Sequence, residues 1–154
     1  MDNLQLIKIL YIEDNESDIV LLFDLLSSIN TRIYNITNAK TLKEGLQYLE
    51  CGPFDIILLD IKLPDAVNVQ NSIIRIHAHA GNVPIIICTG LDNWDTVVIA
   101  LQAGADDYMV KGEDTAKSIA RRIVCSILRR GKTRNELLDE MKRTLAQMEL
   151  IING

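Results

Sequence analysis

Five side chains in this 154-residue sequence have the types and positions that phosphoryl chemistry needs: Glu13, Asp14, Asp60, Thr89 and Lys111. Each stands where a short apolar run stops. LIKILYIE runs into Asp14, FDIILL meets Asp60, VPIIICT closes on Thr89, and DYMV is followed by Lys111. Three carboxylates gathered in a partly desolvated cleft repel one another, and a cation relieves that repulsion. Oxygen donors with only a few carboxylates suit Mg2+, which keeps several waters and shares a phosphate readily. A lysine beside the acids would neutralise part of the cluster and hold an incoming phosphoryl group. Thr89 offers a hydroxyl to another phosphoryl oxygen, and Gly90 leaves room for it. Phosphoryl transfer is mostly positioning and charge stabilisation, so these residue types suffice, with a carboxylate as acceptor nucleophile.

Those residues converge only if the apolar runs are neighbouring strands. The pattern supplies them. Strands are expected at 6–13, 32–37, 54–59, 83–89 and 107–110, the fourth apolar enough to be covered on both faces. Between them lie helical patterns. SDIVLLFDLLSSI has apolar residues at Ile19, Leu22, Phe23, Leu26 and Ile29. TLKEGLQYLE opens with Thr41 three residues before Glu44, a capping-box spacing. A third helix falls somewhere in 68–80. DNWDTVVIALQAG ends on Gly104, a residue suited to closing a helix, and a fifth helix starts near Asp114. Strict strand–helix alternation implies an α/β domain with a parallel, doubly covered sheet. In such sheets ligands sit beyond the carboxyl ends of the strands, where the five side chains stand. The second strand, ending in Thr37-Asn38, brings nothing comparable.

The ordered set YIEDNESD, DIILLDIKLPD, IIICTGLDN and DYMVKGE resembles the receiver domain of two-component response regulators, over roughly residues 4–130. The resemblance implies a flavodoxin-like, doubly wound five-stranded sheet of order 2-1-3-4-5. It implies that Asp60 is the phosphoacceptor, taking its phosphoryl group from a phosphohistidine on a histidine kinase or phosphotransfer protein. By the same resemblance Asp14 is a direct Mg2+ ligand, Glu13 acts through metal-bound water, and the backbone carbonyl of Lys62 joins them. Thr89 and Lys111 contact the phosphoryl group, and Tyr108 is the aromatic switch that moves inward when Thr89 moves. The output is then a changed protein-interaction surface, not turnover of a substrate. Two departures stand out. Gly112 follows Lys111 where many members have proline, which predicts a freer loop. AVNVQNSI lacks the glycine usual after the Pro64-Asp65 turn. Lys62, two residues past Asp60, is expected to overhang the site and alter how water reaches an acyl phosphate.

Rival readings use the same residues differently. A Mg2+-dependent aspartyl phosphatase would want a second acid two residues after its nucleophile, where Lys62 stands. A receiver-shaped adaptor that is never phosphorylated would have no need of the complete set of acids, Thr89 and Lys111. A flavin carrier would need a phosphate loop after the first strand, where Glu13 and Asp14 would repel phosphate.

The totals narrow the class further. A net charge of −5 gives no basic face for nucleic acid. The three cysteines, Cys51, Cys88 and Cys125, are widely spaced and form no metal or disulfide pattern. His77 and His79 are two apart and share no helix face. The start of the chain carries no charged-then-apolar leader, and no apolar run is long enough to span a bilayer, so the expected location is the cytoplasm. Residues 131–154 form a helical extension to the domain at 1–130. Leu138, Met141, Leu145, Met148 and Ile152 recur three and four apart, a short coiled-coil seam, and Asp139 and Arg143 lie one turn apart. Gly131 with Thr133 and Glu136 would end one helix and cap the next, but the fifth helix running straight through is favoured. The apolar stripe then needs a cover, supplied by the domain itself, by a homodimer, or by a further domain downstream of residues 133–152.

Overall fold

The structure, a computed structural model, describes residues 6–29, 33–90, 93–131 and 134–153. Strands and helices alternate along the chain. They are β1 (Leu6–Ile12), α1 (Glu16–Ser27), β2 (Ile33–Ala39), α2 (Leu42–Cys51), β3 (Ile56–Asp60), α3 (Val69–Ala80), β4 (Ile85–Thr89), α4 (Trp94–Gln102), β5 (Asp107–Val110), α5 (Ala116–Gly131) and α6 (Arg134–Asn153). The strands form one parallel sheet of order β2-β1-β3-β4-β5, the expected doubly wound arrangement.

Alternation along the strands divides the core in two. Leu10, Ile12, Ile57, Leu59, Ile85 and Ile87 face α2, α3 and α4, meeting Leu42, Leu46, Ile73, Ile76 and Ala100. Ile9, Tyr11, Ile56, Leu58, Ile86, Cys88 and Met109 face α1 and α5, meeting Ile19, Leu22, Leu26, Ile119 and Ile123. All residues of β3 and β4 are buried, which is why those runs read as continuous hydrophobes. In α1 the buried stripe is Ile19, Leu22 and Leu26, whereas Phe23, expected on that face, is 40% exposed on its flank.

Helix ends follow local chemistry. Asn15 caps α1 by accepting from the Asp18 N–H at 3.1 Å, and Thr41 caps α2 through the Glu44 N–H at 3.1 Å. The third helix begins after Asn68, which accepts from the Asn71 N–H at 2.7 Å, so asparagine starts it without the family's glycine. At the end of α4 the Ala105 N–H reaches the Ala100 carbonyl and the Gly104 N–H that of Leu101, with Gly104 at φ 115°, a Schellman closure. Among the described residues no helix is long and apolar enough to cross a membrane.

The extension differs from the straight helix expected. Prolonging α5 would carry Met148 about 25 Å beyond Gly131, yet Met148 is only 4% exposed and α6 packs against α5. Of the apolar seam, Met148 is buried and Met141 half-buried, while Leu138 and Leu145 face solvent. The side chain of Ile152 and the cap at Thr133 lie outside the described residues. Arg143 Nε reaches the Asp139 carbonyl oxygen at 3.4 Å.

Asp65, in the turn after β3, explains the second acid of that segment. Its carboxylate accepts from the Leu42 N–H at 2.8 Å and the Lys43 N–H at 3.0 Å, fastening the turn to the start of α2. Partial burial works against the charge, but these amide contacts hold its carboxyl below the usual carboxylate range. A depressed folded-state value stabilises above the unfolded value and is lost as pH falls through the folded one. Asp65→Ala is therefore expected to lower stability by about 1 kcal/mol at pH 7. The gap to wild type should close as thermal melts are taken below about pH 4.

Candidate functional site

The strand register sets the rim. Ile12 pairs with Leu59, so Glu13, just past β1, stands beside Asp60 at the end of β3. Asp60 pairs with Cys88, and Thr89 with Val110, so Lys111 leaves β5 at the same edge. The Lys111 N–H donates to the Thr89 carbonyl at 2.8 Å, locking the two strand ends together. Glu13 is held likewise by its own N–H to the Ala39 carbonyl at 2.9 Å.

At this rim Lys111 Nζ lies 2.6 Å from Glu13 Oε2, 3.0 Å from Asp18 Oδ2 and 3.2 Å from Asp60 Oδ1. Glu13 is fully buried and Asp60 6% exposed, whereas Asp14 faces solvent. One oxygen each of Glu13, Asp14 and Asp60 lies within 4.8 Å of the others, a hard-oxygen donor set that fits a divalent cation. Burial, reinforced by the charge of Asp60, pushes the Glu13 carboxyl up to about 7 against the pull of Lys111. For Lys111 burial would lower the value, and the neighbouring carboxylates overcome it, keeping the ammonium protonated above the usual lysine range. The cleft over these groups is about 560 Å³ and includes Ile61, Lys62, Gly90 and Asn93 in its lining.

Glu13, Asp14, Asp60 and Lys111 thus come together, with Lys62 at the mouth of the cleft. Thr89 is buried at the neighbouring strand end, its hydroxyl donating to the Gly90 carbonyl at 3.0 Å. Tyr108 pairs with Ile87 in the sheet, which puts it on the same sheet face as Thr89. Its ring meets Trp94 edge-on, centroids 5.6 Å apart at 83°, and lies 5.5 Å from the Arg122 guanidinium.

Two residues at the rim escape sequence reasoning. Asp18 is the third residue of α1, and its carboxylate contacts Lys111; the Asn15 cap three residues earlier was the signal that its turn faces the strand ends. Asn38, at the end of the second strand, is the other: its Nδ2 donates to the carbonyls of Tyr11 at 3.0 Å and Glu13 at 3.2 Å. Nothing in the local pattern marks a side chain that serves another strand's backbone.

A family model described as the response regulator receiver domain matches residues 9–123. The chain belongs to that family. Protein RcaC of Microchaete diplosiphon is 37% identical over 126 residues, 80% of this chain and 18% of RcaC. The transcriptional regulatory protein BasR of Escherichia coli (strain K12) is 32% identical over 129 residues, 84% of this chain and 55% of BasR. The chain therefore spans well under two thirds of each of these curated relatives. Among solved structures, the receiver domain of sensor histidine kinase PA1611 from Pseudomonas aeruginosa PAO1 has a magnesium ion coordinated in its active-site cleft. It matches with a TM-score of 0.68 at 25% identity, covering 80% of this chain and 98% of that one. A CheY-like receiver domain protein from Methanospirillum hungatei JF-1 matches with a TM-score of 0.66 at 26% identity, covering 91% and 99%.

Within this receiver the loop after Lys111 is more constrained than a glycine suggests. Gly112 has φ 83°, in the region that favours glycine. Asp114 then hooks back, its Oδ2 accepting from the Val110 N–H at 2.7 Å while Oδ1 accepts from Ser118 at 2.7 Å and Arg122 Nε at 3.2 Å. Partial burial opposes the charge on Asp114, but these donors hold its carboxyl below the usual range. Arg122 also reaches both oxygens of Asp107, at 3.0 and 3.1 Å. Gly112→Ala should thus lower stability by about 1 kcal/mol. Gly112→Pro, with φ fixed near about −65°, should cost more. Urea denaturation of both variants checks the order.

Proposed function

We propose that Asp60 is the phosphoacceptor of this receiver, and that Glu13, Asp14 and Asp60, with the Lys62 carbonyl, hold Mg2+. The observation that carries the reading is a buried carboxylate, Asp60, at a strand end with one ammonium 3.2 Å away and two further acids within reach of a shared cation. An Asp60 oxygen attacks the phosphorus of a phosphohistidine on a histidine kinase or phosphotransfer protein. The O–P bond forms as the P–N bond breaks, and its electron pair leaves with the imidazole, which takes up a proton. Lys111 turns one N–H to a phosphoryl oxygen. The metal, when bound, supplies charge neutralisation for the phosphoryl oxygens. In this reading the receiver domain turns over no separate substrate, and hydrolysis of the acyl phosphate resets it.

The Thr89 hydroxyl now spends its hydrogen bond on the adjacent Gly90 carbonyl, a local contact that a phosphoryl oxygen can replace. Its movement frees space on the sheet face shared with Tyr108. Phosphorylation then biases an equilibrium between two placements of the Tyr108 ring, and with it the surface of α4, β5 and α5. A protein partner reads that surface. Residues 1–130 are the receiver and 131–154 the extension, whose exposed Leu138, Leu145, Leu150 and Ile151 offer a contact to a second copy or a downstream domain. The acidic balance of the chain disfavours nucleic acid at the receiver itself.

Incubation with Mg2+ and a small phosphodonor is expected to add the mass of one phosphoryl group. Asp60→Asn should show none, and a wild type that gains none would sink the reading. Lys62→Ala is expected to change the lifetime of the phosphorylated form, measured by its decay after donor removal; an unchanged lifetime leaves Lys62 a bystander.

A further inference from the structure

The geometry points to Asp18 as the residue that positions Lys111, an assignment that rests on the proposed reading of Asp60 and its metal. An ammonium has three N–H donors. Around Lys111 three carboxylate oxygens stand within 3.2 Å, from Glu13, Asp18 and Asp60. Glu13 and Asp60 also belong to the donor set for the cation; Asp18 does not. Lysine and metal thus compete for the same two side chains, and Asp18 is the anchor that the metal leaves alone. By drawing the ammonium toward α1, it weakens Lys111 as a competitor and keeps it at the rim, where a phosphoryl oxygen would arrive.

The start of α1 is built to hold that anchor still. The Asn15 N–H donates to Glu13 Oε1 at 3.1 Å, and Asn15 Oδ1 accepts from the Asp18 N–H at 3.1 Å. Ile19 and Leu22, buried against the sheet, fix the turn from beneath. Glu16, the other acid of the first turn, is engaged by Lys40. With a neutral amide at position 18, Lys111 falls entirely to Glu13 and Asp60, the oxygens that the cation needs.

Calorimetric titration of Mg2+ into wild type, Asp18→Asn, Lys111→Ala and the double variant tests this. Acting through Lys111, Asp18→Asn weakens Mg2+ binding about fivefold or more, the scale of coupling within one ion-pair network. In the Lys111→Ala background the same change costs about twofold or less, a screened charge at a distance. Asp18→Glu, which keeps a carboxylate on that turn, recovers most of the affinity, and matching thermal midpoints exclude a folding effect. With a phosphodonor in excess, Asp18→Asn needs more Mg2+ for half-maximal phosphorylation. Equal losses in both backgrounds, or no loss beside Lys111, overturn the role of Asp18 alone. Mg2+ binding by a wild type that accepts no phosphoryl group overturns the Asp60 reading alone. No Mg2+ binding by wild type overturns both.

Discussion

Negative charge cannot be collected at the end of a buried sheet without a counter-charge, and in this protein Lys111 provides it. Glu13 has no solvent contact and Asp60 almost none, so their mutual repulsion is weakly screened. A single ammonium within 3.2 Å of both makes the arrangement tenable. Much of the surrounding architecture serves that meeting. Parallel pairing brings β1, β3 and β5 to a common edge although the residues concerned are 47 to 98 positions apart in sequence. The Thr89 carbonyl pins the Lys111 backbone, and the Asp114 hook keeps the following turn closed on β5. The same crowding makes the site receptive to a divalent cation, since a stronger positive charge can replace one that already serves there.

The sheet separates the acids and Lys111 from Thr89 and Tyr108. Glu13, Asp60 and Lys111 share strand parity with the residues facing α1 and α5, whereas Thr89 and Tyr108 lie with those facing α2, α3 and α4. Thr89 and Lys111 are joined through backbone at the strand ends, so one hydrogen bond links the rims of the two faces. Arg122 makes a second link. It binds Asp114, in the loop of Lys111, and Asp107, at the start of β5, and lies over the Tyr108 ring between them.

Most of the frame was legible in the sequence because parallel strands buried on both faces are nearly unbroken apolar runs. IILLD and IIICT could be little else once helical patterns lay between them. The acids and Lys111 were legible because they interrupt such runs at their ends. Side chains that serve remote backbone were not. Asn38 and Asp65 look like ordinary loop residues, and their partners, the β1 carbonyls and the α2 amides, are distant in sequence. Asp18 was hidden by its surroundings, since an acid in the first turn of a helix is already explained by the helix dipole. The packing of the extension was not legible, since the periodicity of Leu138, Met141, Leu145 and Met148 carries no information about which surface covers Met148.

The packing of α6 on α5 gives the extension a place on the receiver's own surface. With Met148 seated and α6 lying against α5, part of the outer side of α5 is roofed by the chain itself. A visitor to that side must shift the roof or dock beside it. Residues 134–153 therefore share α5 with the proposed partner surface, and a protein docking on that helix would have to accommodate α6.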